Sequence, residues 1–330
     1  MRDVKARAVV IVAALALWGT GSVRAADCSN WNSKAFFETA TTAEVRNCLV
    51  RGADPNARTK SGSTPLHLAA DRNASPAVIR ALLDAGADPN ARAEADTTPL
   101  YAAAGAADLA VIRALLDAGA DPNVRAGEAG GTPLHLAADR NASPAVIRAL
   151  LDAGADANAR TGEGGSTPLH LAAAGNVSPA VVRALLDAGA DPNARTHLDS
   201  TPLYVATDRS ASPAVVRALL DAGADPNAWA GERGGTPLHM ATHRNASPEV
   251  IRALLDAGAD PNARGHLDWT PLHLAAAGNA SPAMVRALLD AGAEIGARAE
   301  NGKLPFDLIG ADSPLVGTDV YWKLNEGRFR

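Results

Sequence analysis

Ser63-Thr64-Pro65-Leu66-His67-Leu68-Ala69-Ala70 is the stretch that decides how this chain folds. Thr64 offers a hydroxyl where a helix N-cap needs one, and Pro65 suits the first helical position, where no backbone N–H is missed. The alanines behind them predict a short helix that neighbours can approach closely. A polar break, Asp71-Arg72-Asn73-Ala74, leads into Ser75-Pro76, a second cap and start. Beyond it Ile79, Leu82 and Leu83 stand at i, i+3 and i+4, the apolar stripe of a half-buried helix. Gly86 ends that helix as a left-handed C-cap residue, and Asp88-Pro89-Asn90 turns the chain outward.

The same block returns along the chain. Thr-Pro-Leu recurs at Thr64, Thr98, Thr132, Thr167, Thr201, Thr236 and Thr270, in steps of 34 or 35 residues. Leu-Leu-Asp with Ala-Gly-Ala follows in phase, through Gly86, Gly119, Gly154, Gly189, Gly223, Gly258 and Gly292. A fixed period of this length means a stack of supersecondary units. All 21 prolines stand after a capping Thr or Ser, in Asp-Pro-Asn turns, or in ends that copy this pattern. None falls inside an expected helix, where it would cost about 3 kcal/mol.

Units carrying Thr-Pro-Leu-His and Ala-Gly-Ala-Asp-Pro-Asn-Ala-Arg closely resemble ankyrin repeats. The resemblance implies an all-α solenoid, an L-shaped stack of antiparallel helix pairs with hairpin-like loops projecting from it. It divides the chain into an N-terminal capping half-repeat (26–58), seven repeats (59–298) and a C-terminal capping repeat (299–330). In the second repeat Gly105-Ala106-Ala107-Asp108 leads straight into Leu109, without the Ser-Pro start of the other repeats. At the N-terminal end Ser33 to Ala40 reads as a first helix, and Thr41 with Glu44 forms a capping box for a second. At the other end Asn301 to Leu308 reads as a worn first helix, with Tyr321, Trp322 and Leu324 closing the last layer. Nine layers at about 10 Å give an arc roughly 80–90 Å long.

Composition agrees. Of 330 residues 47% are hydrophobic but only 4% aromatic, so small aliphatics supply the apolar surface and a thick globular core is excluded. Arg2, Lys5 and Arg7, the apolar run Ala8 to Trp18, and Val23-Arg24-Ala25 read as a secretory leader spanning 1–25, cleaved before Ala26. Its removal leaves 27 basic and 35 acidic residues, a net charge of −8, so nucleic acid is not an expected partner. After cleavage no membrane association is expected, and the protein should be periplasmic or secreted. In an oxidising compartment Cys28 and Cys48 form an even pair, and a disulfide is expected; an unpaired thiol at Cys48 is the alternative.

No residue set announces chemistry, and neither enzyme activity nor a cofactor or metal is expected. His67, His135, His170, His239 and His273 form a ladder, with Tyr101 and Tyr204 in the same slot of two other repeats. Each imidazole is expected to bond to loop backbone inside its own repeat, since copies one layer apart cannot share a zinc ion. His197-Leu198-Asp199-Ser200 holds the residue types of a hydrolase triad, but neighbours on an extended tip point in alternating directions. Asn-x-Ser at Asn73, Asn141, Asn176, Asn245 and Asn279 is always followed by Pro and reads as a helix-entry turn.

What remains is surface. Ankyrin-family proteins hold other proteins with loop tips and the exposed ends of first helices, so a protein partner bound by a monomer is the expectation. Carried onto this chain, the positions are Trp269, His266 and Asp268 on one tip, Trp229 on the tip before it, and Asp208-Arg209 and His243-Arg244 at helix ends. Trp269 leads as an exposed anchor, and Trp229, where other repeats carry Arg, comes second. For both, packing on a neighbouring loop is the alternative. Residues 64–92 and 132–160 differ only at Pro89 versus Ala157, so the N-terminal half reads mostly as spacer. An exported effector or toxin-neutralising inhibitor acting on another organism's protein is the competing function.

Overall fold

The computed structural model describes residues 28–329 except Asn73, Ala107, Asn141, Asn176, Val177, Ser210, 231–233 and Asn279. The expected leader and its cleavage before Ala26 lie outside the described residues, as do four of the five Asn-x-Ser asparagines.

Each Thr-Pro-Leu opens a short first helix: Pro65–Asp71, Pro99–Ala106, Pro133–Asp139, Pro168–Ala174, Pro202–Asp208, Pro237–His243 and Pro271–Ala277. Each is followed by an antiparallel second helix: Pro76–Asp84, Leu109–Asp117, Pro144–Asp152, Pro179–Asp187, Pro213–Asp221, Pro248–Asp256 and Pro282–Asp290. In the second repeat the Asp108 carboxylate replaces the Ser-Pro start, accepting from the Ala110 and Val111 N–H groups. First helices pack on first helices and second on second, and the first pack more intimately. Ala69-Ala70, Ala103-Ala104 and Ala137-Ala138, all buried, permit that approach, so the stack curves toward the first-helix side. Leu66, Ile79, Leu82 and their copies fill the space between layers and are fully buried.

Gly86 and its six copies all adopt φ between 84° and 90°. A Cβ at Gly86 would meet nothing within 4 Å, so backbone conformation alone demands glycine there. Backbone bonds close the tips, such as Thr59 N–H to Ser63 O at 2.9 Å and Gly265 N–H to Trp269 O at 2.8 Å. Only isolated bridges, Ala126–Gly131 and Ala230–Gly235, form there, and no strand does among the described residues.

Three polar ladders tie each layer to the next. Asn56 donates to Gly86 O (2.9 Å) and accepts from Asp88 N–H (2.8 Å). Asn90, Asn123, Asn158, Asn193, Asn227 and Asn262 repeat this reach. Along the tips Arg58, Arg125, Arg160, Arg195 and Arg264 each donate to a backbone carbonyl of the next loop. The histidines make the third ladder: the expected bond to backbone within the repeat is present at Nδ1, and Nε2 reaches beyond the repeat. His67 Nδ1 accepts from Thr64 N–H at 3.2 Å, which leaves the proton on Nε2 to donate to Thr97 O, 30 residues on, at 3.0 Å. His135, His170, His239 and His273 do the same to Ser166, Ser200, Trp269 and Lys303. The short helix aims its N-terminal ring across the gap to the following tip.

This geometry requires neutral imidazole, because a protonated Nδ1 would face a backbone N–H. Burial holds all five histidines below their usual 6.5. The unfolded chain therefore binds more protons than the folded one below that value. The ladder's contribution is complete above about pH 6.5 and is lost as pH falls through the lowered folded values. A melting series from pH 7.5 to 5 should show a steadily falling midpoint, and His135→Tyr, which mimics repeats two and five, should shallow that slope.

At the N-terminal cap Ser33 caps Lys34–Thr39, and the Thr41–Glu44 capping box opens Thr42–Val50. Cys28 and Cys48 are bridged. Trp31, Phe36 and Phe37 pack edge to face, and Trp31 Nε1–H donates to Asp54 O at 2.9 Å. At the other end the worn first helix is a 3-10 turn, Pro305–Leu308, followed by Asp319–Asn325. Val320 and Leu324 close the last layer. Trp322 does not: it is 60% exposed, because its helix turns that position outward, while Tyr321 packs against Phe306.

Candidate protein-binding face

The tips divide into two kinds. In repeats one to four they carry small and polar residues. The next three tips each expose one large apolar side chain: Leu198 (65% exposed), Trp229 (47%) and Leu267 (50%). Leu267 sits at φ 58°, ψ 29° with its side chain in solvent. A left-handed conformation costs a non-glycine residue about 1–2 kcal/mol, and Ala95 on an earlier tip adopts it too.

The tips are tight turns, not the extended loops expected, since Asp199, Leu267 and Asp268 all have positive φ. The triad types still scatter. His197 Nδ1 lies 3.0 Å from Glu163 O on the preceding tip, and Asp199 pairs with Arg195 at 3.6 Å. Asp268 pairs with Arg264 at 3.5 Å in the same manner.

Trp269 is half-buried, not an exposed anchor, because its ring stacks on His273 at 6.2 Å with 29° between planes. Trp229 is the more exposed tryptophan. Its ring lies over Gly234, where a Cβ would come within 2.6 Å of Cζ2. Asp208 and Arg244, 36 residues apart, meet across the layer at 2.6 Å, and Arg209 stands 3.9 Å from the same carboxylate.

Between these tips and the first helices runs a groove of about 310 Å³. It brings together three of the sequence-predicted residues, Trp269, His266 and His243, while Trp229 flanks it by way of Gly234. Sequence reasoning missed Tyr204, Met240, Leu267 and Leu274, which complete it. The signal was there: Leu136, Leu171, Val205, Met240 and Leu274 occupy one slot of successive first helices and all are half-buried. A second groove of about 420 Å³ lies over repeats one to three, around Tyr101, Leu68 and Leu136, so the N-terminal half is not a featureless spacer. It carries both charge signs, with Lys34, Asp71 and Arg140 on its rim. Among the described residues no cluster suited to a metal ion occurs, and no helix is long and apolar enough to cross a membrane.

The family model described as ankyrin repeats (3 copies) matches residues 39–126, 119–196, 179–265 and 203–299. Among solved structures the chain is similar to the ankyrin repeat domain of Bcl-3, described as a unique member of the IkappaB protein family. Identity is 30%, with 70% of this chain and 100% of that one covered and a TM-score of 0.59. The human ASB11 ankyrin repeat domain is similar at 28% identity, covering 70% and 98%, with a TM-score of 0.58. No curated protein matches.

Proposed function

Since the chain belongs to the ankyrin repeat family, we propose that it is an exported, monomeric scaffold that holds a protein partner on the C-terminal part of its concave face. The fold is typically a non-enzymatic binding scaffold. The carrying observation is the groove with Tyr204, Met240, Leu267 and Leu274 on its walls, continuous with exposed apolar tips on the same repeats. Proteins rarely leave such a surface uncovered without an interaction to serve. Trp269, stacked on His273, gives the groove a rigid wall, and the Asp208–Arg244 pair fixes its outer rim.

Export rests on the leader-like segment and accords with the Cys28–Cys48 bridge, which an oxidising compartment would maintain. N-terminal sequencing of the protein from periplasm and medium should begin at Ala26; recovery of the intact chain only from the cytoplasm would remove this part of the proposal. Met240→Glu should cut partner capture by at least tenfold, because it puts a charged, hydrated group where an apolar side chain of the partner would pack. The residue is half-buried, so the melting midpoint should move little. Undiminished capture would move the binding site elsewhere.

A further inference from the structure

The C-terminal groove contains an asymmetry of charge that specifies its occupant more closely. None of its lining residues is acidic. Among the described residues, three carboxylates near it are paired: Asp208 with Arg244, Asp199 with Arg195 and Asp268 with Arg264. The three histidines outside the buried ladder, His197, His243 and His266, all fall on this end of the stack, and two of them line the groove. His239, also in its wall, has both ring nitrogens committed to Thr236 and Trp269. The imidazole rings of His243 and His266 make no hydrogen bond among the described residues. On a chain of net negative charge, this groove is an apolar trough edged by unmatched imidazole N–H groups.

Resting on the protein-binding reading above, we propose that the partner enters as one segment presenting a bulky apolar side chain flanked by carboxylates. The apolar side chain fills the trough against Met240, Trp269 and Leu274, and the carboxylates accept from His243 and His266. An imidazole keeps at least one N–H in either protonation state, whereas a carboxylate only accepts. Bonds with a charged acceptor are about twice as strong as neutral ones. A segment flanked by lysines would instead bring cations beside Arg209, Arg244 and Arg264, whose carboxylate partners are already occupied.

Three fluorescein-labelled twelve-residue peptides test this, each with a central Trp-Leu flanked on both sides by two Glu, two Ser or two Lys. They are titrated with the full chain by fluorescence anisotropy. The Glu peptide should bind about tenfold more tightly than the Lys peptide, with Ser between them. In the His243→Ala, His266→Ala double variant that preference should shrink below about twofold, with helical signal unchanged. Equal or tighter binding of the Lys peptide overturns the proposal, and so does a preference that survives both substitutions. Failure of all three peptides to bind overturns it as well, while leaving the scaffold reading to stand or fall on partner capture by the wild-type and Met240→Glu proteins.

Discussion

Leu169→Ala in the fourth repeat should destabilise the protein by about 2–5 kcal/mol, the range for removing a buried leucine and leaving a cavity. Leu169 is fully buried between the third and fifth repeats' first helices, and its neighbours Ala172 and Ala173 are too small to refill the space. The architecture decides how the loss appears. Each layer touches only the next, so stability is a sum of repeat and interface terms rather than one shared core. Urea denaturation followed by hydrogen exchange should show the fourth repeat and its neighbours opening first, while the capped ends retain protection. A single uniform loss of protection along the chain would mean the layers are more tightly coupled than this account allows.

Reducing the Cys28–Cys48 bridge should cost about 3 kcal/mol, the chain-entropy value for a loop of this size. The effect should be local. The bridge joins the 3-10 turn Cys28–Asn30 to Thr42–Val50, and the Trp31–Phe36–Phe37 cluster lies between them. Exchange protection should fall over 28–58 on adding reductant and stay constant from the second repeat onward. Protection unchanged at the N-terminal end would show that the aromatic cluster alone holds this cap.

The helices, caps and turns were legible in the sequence because each rests on a local rule. Thr at the N-cap, Pro at the first helical position and Gly at positive φ require only nearby residues, and their spacing repeats seven times. What escaped depends on the direction a helix face takes or on the neighbouring layer. The ladder imidazoles were recognisable as structural, but their reach to the next tip is a distance between repeats that no single repeat contains. Trp269 looked like a free anchor because its stacking partner, His273, belongs to a helix face whose direction the sequence does not state. Trp322 looked like a closing residue because its helix had no repeat with which to fix the register. Tyr204, Met240 and Leu274 look like ordinary core positions one repeat at a time, and become a groove only when layers five to seven stand side by side.

The most direct test of the account places a photo-crosslinking amino acid at Leu267, on the tip, and separately at Arg252, on the exposed side of a second helix in the adjoining repeat. Both proteins are illuminated in the cells that make them. A discrete crosslinked partner from position 267 and none from position 252 is the predicted result. The same partner caught equally from both positions, or only from 252, would contradict the assignment of binding to the concave C-terminal face.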